Sequence, residues 1–277
     1  MPAMLCLVPT PIGNLRDISP RARDALAEAD FIAAEDTRVT RKLLNYLDLK
    51  KPLVSYYEHN KLESGPKIVA RILEGQTCAL VSDAGSPAIS DPGEDLVRLC
   101  AEAGIPVCAI PGPCAAITAL SISGLPTGRF CFEGFLSTNK KNRQAHLTAL
   151  RGETRTMIFY EAPHKLRQTL CDLAAAFGGE RRISLCRELT KLHEEVIRTT
   201  LSGAQALYET ADPRGEYVLI LAGAPPKAAE APTLDELVAQ VQAQITAGLS
   251  RKDAVRAVSA QTGFPKNQLY DAVLHTK

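Results

Sequence analysis

The sequence lacks tryptophan and has few aromatic residues, which limits how its core can be built. Phe, Trp and Tyr make up 5% of the 277 residues, whereas hydrophobic residues as a whole make up 45%. The core must therefore come mainly from Leu, Ile, Val and Ala. With 23% charged residues, the composition is typical of a globular protein, and the length is sufficient for two domains.

A strong charge imbalance is also missing. The formal net charge is +1, so the overall charge does not by itself indicate a nucleic-acid partner. A balanced charge favours an enzyme that acts on a small molecule. It is equally compatible with an RNA enzyme whose basic residues lie in local patches.

Metal-binding and export patterns are absent as well. None of the eight cysteines forms a C-x-x-C pair, and no cluster of Cys and His has the spacing of zinc ligands, so we predict no metal site and buried, reduced thiols. No apolar run approaches the ~18 residues of a membrane span, and the first residues lack the charged region of an export signal. These absences predict a cytoplasmic protein without a membrane partner.

Short apolar runs alternate with amphipathic segments through the first 110 residues. Met4–Val8, Phe31–Ala34 and Cys78–Ser82 have the pattern of strands, each followed by a helical segment. This alternation predicts a parallel sheet covered by helices on both faces. In the second half, the runs Ile183–Arg187 and Val196–Thr200 follow each other without a long helix between them, which predicts a mixed sheet.

Breaks in this pattern predict the domain organisation. A Gly- and Pro-containing stretch at 124–128 separates an N-terminal α/β domain, 1–124, from a second α/β domain, 125–224. An Ala- and Pro-rich stretch, 224–232, reads as a linker before a helical tail, 233–277, that resembles a helix-turn-helix unit. Other predicted helices are Thr40–Leu47, Pro66–Glu74 and Pro113–Ser123.

Basic residues outnumber acidic ones at the end of the tail. The basic residues are Arg251, Lys252, Arg256, Lys266 and Lys277, against Asp253 and Asp271. This excess indicates a nucleic-acid partner, although a solvated helical cap or a dimer arm has the same composition. A second basic run, formed by Lys140, Lys141 and Arg143, is either an RNA contact or a solvated turn.

Three loops directly follow predicted strands: the first loop is Pro9–Leu15, the second Ser82–Gly93 and the third Ile110–Ala116. Because ligands bind outside the carboxyl ends of parallel strands, we expect these loops to form a site. The prolines of the first loop make it stiff. The small residues of the third either allow a flat ring to approach the backbone or allow close helix packing.

The second loop carries the most information. Its twelve residues exceed the ~2–6 residues common in α/β connections. Gly85 can expose backbone N–H groups to a ligand, and Asp83 can accept a hydrogen bond from an amine or hydroxyl. The loop contains neither Gly-Lys-Ser/Thr nor G-x-G-x-x-G, which argues against a Walker-type phosphate loop and against a nicotinamide cofactor.

At these loops the sequence resembles the tetrapyrrole-methylase-like superfamily of S-adenosylmethionine methyltransferases. The string Ser-Asp-Ala-Gly-x-Pro-x-x-Ser-Asp-Pro-Gly, with Ala34–Arg38, resembles one branch, the small-subunit ribosomal RNA cytidine 2′-O-methyltransferases. The resemblance covers about residues 4–223, and the helical tail is also typical of the branch. It implies a two-domain α/β fold, S-adenosylmethionine bound in the cleft between the domains, and a homodimer.

The resemblance also implies which residues contact the cofactor. With Gly85, the expected set is Pro11, Ser82, Asp83, Ser86, Cys114, Ala115, Glu161 and Leu189. Glu161 stands where the tetrapyrrole enzymes often have methionine, and Leu189 where they often have glycine. These two departures indicate that the side of the pocket that binds the methyl acceptor differs from that of the tetrapyrrole enzymes.

Two polar clusters supply candidate catalytic groups. In the first, Glu35 or Asp36 is the candidate general base and Arg38 the candidate phosphate ligand, although an ion pair inside the cluster is an equal alternative. In the second, Lys191 and His193 are candidates to bind phosphate or to take a proton, and a surface role is the alternative for His193.

The favoured hypothesis is S-adenosylmethionine-dependent 2′-O-methylation of a cytidine ribose in small-subunit (16S) ribosomal RNA. Its partner is then ribosomal RNA or the small ribosomal subunit. One alternative is a methyltransferase that acts on a porphyrin-like small molecule, which does not need a basic tail. Another is a non-enzymatic ribosome-binding factor, which binds RNA without transferring a methyl group.

Overall fold

A computed structural model describes residues 3–225 and 232–275 of the chain. By internal contacts the chain divides into two compact units, Met1–Ala224 and Pro225–Lys277. The described part of the first unit contains two five-stranded sheets with their helices, and that of the second contains three helices. Most of the expected linker, 226–231, lies outside the described residues.

The first sheet is parallel throughout, as the strand–helix alternation predicts. Its strand order is β3-β2-β4-β1-β5. The strands are β1 (Leu5–Leu7), β2 (Phe31–Ala34), β3 (Leu53–Ser55), β4 (Cys78–Val81) and β5 (Val107–Ala109). Because all five run in one direction, the segments that follow them lie at the same edge.

Side chains alternate between the two faces of this sheet, so both faces are buried. Ile32 and Ala79 pack with the helices α1 (Pro20–Glu28) and α2 (Thr37–Tyr46). The neighbouring Phe31 and Leu80 pack on the opposite face with α3 (Lys61–Leu73) and α4 (Gly93–Glu102).

The second sheet is mixed, which confirms the expectation for this half. Its strand order is β6-β7-β10-β8-β9, with β6 and β7 parallel and the other neighbours antiparallel. The strands are β6 (Phe130–Phe135), β7 (Thr156–Glu161), β8 (Arg182–Arg187), β9 (Glu195–Thr200) and β10 (Tyr217–Leu221).

Helices cover both faces of the second sheet. One face packs against α6 (Lys140–Ala149), α7 (Leu166–Phe177) and α8 (Leu201–Thr210). The other face contacts α5 (Ala115–Ile122), which continues from the third loop. Helix α5 therefore links the edge of the first sheet to the second sheet. The proposed domain division after residue 124 follows α5 and stays a prediction.

Three helices begin at other residues than expected. Helix α2 begins at Thr37 because the Asp36 side chain caps it by accepting the Arg38 N–H. Helix α3 includes Pro66 in its interior, where the missing N–H affects only the carbonyl of Leu62, a residue that is 88% exposed to water. Residues 113 and 114 are not helical, so α5 starts at Ala115, two residues later than expected.

The second unit is a small helical bundle. Its helices are α9 (Leu234–Thr246), α10 (Arg251–Thr262) and α11 (Lys266–His275). Leu237, Val241 and Val258 are among its fully buried residues. A capping box at Thr233 and Glu236 starts α9, and Gly263, with φ 72°, ends α10.

The structure tests the predictions of buried, reduced thiols and of no membrane span. All eight cysteines are free, and four of them are buried, but Cys171 is exposed on α7. The prediction of buried thiols is therefore wrong for Cys171. Among the described residues, every helix is too short or too polar to cross a membrane.

Candidate functional site

The three loops after β1, β4 and β5 contact one another at the edge of the first sheet. Thr10 and Gly85 exchange two backbone hydrogen bonds, of 2.9 and 3.0 Å, and the Thr10 hydroxyl donates to the Ser82 carbonyl at 3.1 Å. The Ser86 hydroxyl donates to the carbonyl of Pro113 at 3.0 Å. These contacts fix the relative positions of the loops through the Ser82 carbonyl and the Ser86 hydroxyl, whereas the Ser82 hydroxyl donates within its own loop to the carbonyls of Ala84 and Gly85.

A pocket of about 480 Å³ opens beside these loops, in the size range of small-molecule and cofactor sites. The second sheet supplies its other side, including Tyr160, Glu161 and Val218. Of the residues expected at the site, those that line the pocket are Glu35, Ser82, Asp83, Gly85, Ser86, Cys114, Ala115, Glu161 and Leu189. Those placed outside its lining are Pro11, Asp36, Arg38 and Lys191; in the first loop it is Ile12 that faces the pocket.

The charge of the lining is strongly one-sided. Its acidic residues are Glu35, Asp83, Asp91, Glu161 and Glu216. Among the described residues that line the pocket, Lys, Arg and His are all absent. The pocket therefore favours a ligand that carries positive charge or hydrogen-bond donors, and it disfavours an anionic one.

Glu35 lies where this negative charge is concentrated. It follows β2 directly, and its side chain accepts a hydrogen bond from the Asp83 backbone. Burial raises the pKa of Glu35 above its ordinary value of 4.5, and the nearby charges of Asp83 and Asp91 raise it further. Such a carboxylate is a stronger base than an ordinary glutamate.

Asp36, the next residue, has the opposite environment. Its carboxylate forms a bidentate pair with Arg38, with a shortest distance of 2.6 Å. Hydrogen bonding to Arg38 lowers the pKa of Asp36 to about 2. The backbone N–H of Asp36 donates to Asp83 at 3.0 Å, so this residue supports the pocket from behind. The ion pair inside the cluster, left open by the sequence, is thus present.

The second polar cluster holds the first loop. Lys191 donates to Glu188 at 2.8 Å and to Glu216 at 3.0 Å, while His193 is exposed. The backbone N–H of Asn14 donates to the Thr190 hydroxyl at 3.1 Å. A side chain on Gly13 would approach Lys191 Cγ to 2.5 Å, so only glycine permits this close contact.

A buried polar chain lies behind Glu161. One oxygen of Glu161 accepts from the backbone N–H of Ala162 at 2.8 Å and the other from the Thr169 hydroxyl. Arg143 donates to the same hydroxyl at 2.8 Å and to Asp172 at 2.5 Å. The expectation that Arg143 belongs to a solvated or RNA-binding basic turn is wrong, because this residue is buried; Lys140 and Lys141 are exposed.

The second loop has an unusual backbone. Ala88 and Ser90 have φ values of 67° and 63°, in the left-handed region that side chains disfavour. The Asp91 carboxylate accepts from the backbone N–H groups of Ala88 and Gly93, at 2.9 and 2.7 Å, and so holds this conformation. Strained backbone of this kind is typical of ligand-binding loops.

Several lining residues were not anticipated from the sequence. Tyr160 packs edge-on against Phe132 and Phe135 and accepts a hydrogen bond from the N–H of Ala116 at 3.1 Å. Burial raises the pKa of Tyr160 to about 12, which keeps its hydroxyl neutral. Tyr160 could have been predicted from the sequence as a pocket residue, because it immediately precedes Glu161.

Glu216 could not have been predicted, because only the antiparallel pairing of β10 with β7 and β8 brings that end of β10 to the pocket.

Comparison with known proteins accounts for nearly the whole chain. The family model of the tetrapyrrole (corrin/porphyrin) methylases matches residues 4–205, and that of the RsmI C-terminal HTH domain matches residues 232–277. Ribosomal RNA small subunit methyltransferase I from a Synechocystis species is 47% identical over 98% of this chain and 97% of its own length. The protein of the same name from Halalkalibacterium halodurans is 47% identical over 96% of this chain and 93% of its own.

A solved structure shows the same fold at low sequence identity. It is a uroporphyrin-III C-methyltransferase from Thermus thermophilus in complex with S-adenosylhomocysteine, with a TM-score of 0.55 and 16% identity over 79% of this chain and 97% of that one. The family match and the near full-length identities show that the chain belongs to the tetrapyrrole (corrin/porphyrin) methylases, in the group of the ribosomal RNA small subunit methyltransferases I.

Proposed function

We propose that this protein transfers a methyl group from S-adenosylmethionine to the ribose 2′ oxygen of a cytidine in small-subunit (16S) ribosomal RNA. The observation that carries the proposal is the acid-lined pocket at the three loops, in a chain whose relatives are named as methyltransferases of small-subunit ribosomal RNA. The pocket supports S-adenosylmethionine as the methyl donor, and the names of the relatives support ribosomal RNA as the acceptor.

The residues of the pocket fit this cofactor. S-adenosylmethionine carries a sulfonium and an ammonium group, and the five acidic side chains of the lining favour both. Gly85 and Ala115 place backbone at the pocket without bulky side chains, and Ser82, Ser86, Cys114 and Leu189 complete that wall. When bound, the cofactor supplies a methyl group on a positively charged sulfur, a good leaving group.

Glu35 is the general base in this proposal. A ribose hydroxyl becomes a good nucleophile only as its proton leaves, and a positioned base contributes about 10²–10⁴-fold to the rate. Glu35 lines the pocket and has a raised pKa, whereas Asp36 lies outside the lining and is paired with Arg38. With the cofactor bound, Glu35 would accept the proton that the ribose hydroxyl loses when its oxygen receives the methyl group.

The acidic lining also argues against a porphyrin-like acceptor. Uroporphyrin-type rings carry several carboxylates, which a pocket with five acidic and, among its described residues, no basic side chains disfavours. A factor that only binds ribosomes needs neither this pocket nor a carboxylate with a raised pKa. Both features therefore support an enzyme rather than a binding factor.

The partners follow from the same proposal. The acceptor is ribosomal RNA or the assembled small subunit, so the protein acts in the cytoplasm, where ribosomes are built. The exposed Arg251, Lys252 and Lys266 of the second unit contribute to RNA binding. A homodimer is part of the proposal, because the resemblance to this family implies it.

The direct test is methyl transfer to small ribosomal subunits from cells that lack this protein. The subunits are incubated with the enzyme and S-adenosylmethionine labelled in its methyl group, and the RNA is digested to nucleosides. We expect the label in 2′-O-methylcytidine at one position. Label on a base, or no label in the RNA, would contradict the proposal.

A further inference from the structure

A concentration of positive charge lies on α2, outside the pocket. Residues 37–51, which form α2 and the turn that leads to β3, contain five basic residues and one acidic residue, a net charge of +4 in a chain whose total is +1. The rest of the chain therefore carries a net charge of −3. The basic residues, which we call the α2 strip, are Arg38, Arg41, Lys42, Lys50 and Lys51.

The central cations of the α2 strip have no partners in the part of the chain that the structure describes. Arg41, Lys42 and Lys50 are exposed, and none of them forms a side-chain hydrogen bond or ion pair with a described residue. On the opposite face of the same sheet, by contrast, Lys67 pairs with Glu63 and Arg98 with Asp95. Arg38 is paired with Asp36, but the charges of Arg41, Lys42 and Lys50 are not neutralised by any described residue.

The shape of this surface suits an extended polyanion. Arg41, Asn45, Lys50 and Lys51 border an open groove of about 410 Å³, and Tyr46, which follows Asn45 in α2, is 53% exposed. Exposed basic side chains next to an exposed aromatic ring are typical of surfaces that bind single-stranded nucleic acid. Helix α2 is held rigidly beneath them, because Leu43 and Leu44 are buried against the sheet.

The α2 strip is continuous with the pocket. Helix α2 starts two residues after Glu35, which lines the pocket, and the Asp36 backbone N–H is bonded to Asp83 in the second loop. Ten helical residues extend about 15 Å, so the strip leads from the pocket towards the opposite edge of the sheet. A strand of RNA with one nucleotide in the pocket can therefore reach the strip with its flanking phosphates.

We infer that the α2 strip binds the phosphate backbone of the RNA whose ribose enters the pocket. The inference rests on the proposed function and adds the surface that holds the acceptor. The pocket itself repels phosphate because of its five acidic residues, so affinity for RNA must come from cations outside it. Arg41, Lys42 and Lys50 are free to supply that affinity.

The test compares the double variant Arg41→Gln/Lys42→Gln with the wild-type enzyme. Binding of a fluorescent single-stranded RNA is measured at several salt concentrations, and the KM for small ribosomal subunits is measured by methyl transfer. Each lost phosphate contact reduces the slope of log affinity against log salt by about 0.7, so we expect a slope smaller by about 1.4. We also expect a higher KM, an unchanged kcat and unchanged affinity for S-adenosylhomocysteine.

Two further variants serve as controls for this comparison. Lys67→Gln/Arg98→Gln removes the same charge from the opposite face of the sheet and should leave both slope and KM unchanged. Arg41→Lys/Lys42→Arg keeps the charge and should retain RNA binding. An Arg41→Gln/Lys42→Gln variant with wild-type slope and KM, or an equal effect of the opposite-face variant, would overturn the inference. Wild-type methyl transfer in the same preparation tests the proposed function separately.

Discussion

At the scale of single residues, Glu35 and Asp36 show how the fold separates two neighbouring carboxylates. Both follow β2, and the sequence offers no means to choose between them. The structure turns Glu35 towards the other acidic residues of the pocket and pairs Asp36 with Arg38. The position of the cluster at the sheet edge was predictable from the strand pattern, whereas the opposite pKa shifts depend on tertiary contacts.

Replacement of Glu35 by Gln should abolish most of the activity and stabilise the protein. Loss of the general base should slow single-turnover methyl transfer by about 10²–10⁴-fold. Because the folded state raises the pKa of Glu35, ionisation of this group costs stability as the pH rises through that pKa. The Gln variant should therefore unfold at a higher temperature than wild type at pH 8 and at the same temperature near pH 4.

Asp36→Asn is the matched control for this pair. Asn is also a good helix N-cap, so α2 should remain intact, and turnover should stay close to wild type. Wild-type turnover in Glu35→Gln, or a larger loss in Asp36→Asn, would show that Glu35 is not the base.

At the scale of elements, two segments support the site: the second loop lines the pocket, and α6 and α7 supply the buried polar chain behind Glu161. The length and composition of the second loop marked it as functional from the sequence alone. Its shape was not predictable, because the left-handed Ala88 and Ser90 are held by the Asp91 carboxylate rather than by glycine. The burial of Arg143 was not predictable either, because its position beside Lys140 and Lys141 indicates a basic surface run, whereas its contact with Asp172 is tertiary.

Asp91→Ala should weaken both the fold and the site. It leaves the N–H groups of Ala88 and Gly93 without their acceptor, and we expect a loss of about 1–3 kcal/mol in the free energy of unfolding. Affinity for S-adenosylhomocysteine should fall with it, because the second loop lines the pocket. Urea unfolding and titration calorimetry measure the two effects. Asp91→Asn keeps an acceptor oxygen and should retain the stability; equal behaviour of the two variants would contradict this account.

Arg143→Met should destabilise the protein by roughly 3–5 kcal/mol, because it leaves Asp172 without its cation in a largely buried position. The side chains of Arg143 and Asp172 are only 10% and 15% exposed. Denaturant unfolding of both single variants and of Arg143→Met/Asp172→Leu forms a double-mutant cycle. The double variant should lose less than the sum of the single losses. Strictly additive losses would show that the pair is not coupled.

At the scale of the whole molecule, two sheets of different type enclose one pocket. The parallel first sheet and the mixed second sheet were both predictable, because strand–helix alternation and consecutive strands leave distinct patterns in the sequence. Only one side of the pocket was predictable, because the loops that form it are recognisable by composition. The other side contains residues such as Val218 and Glu216, which pairing between strands brings to the pocket. Pairing between distant strands leaves no local signal.

The most direct test of the account is whether this pocket binds the cofactor. Titration calorimetry with S-adenosylhomocysteine compares the wild-type protein with Ala115→Leu, which adds bulk to the pocket wall at a helical position, and with Ser121→Leu, an exposed change on the same helix α5. The account predicts binding of one equivalent per chain by wild type and Ser121→Leu, and none by a folded Ala115→Leu. Absence of binding in wild type, or full affinity in Ala115→Leu, would contradict it.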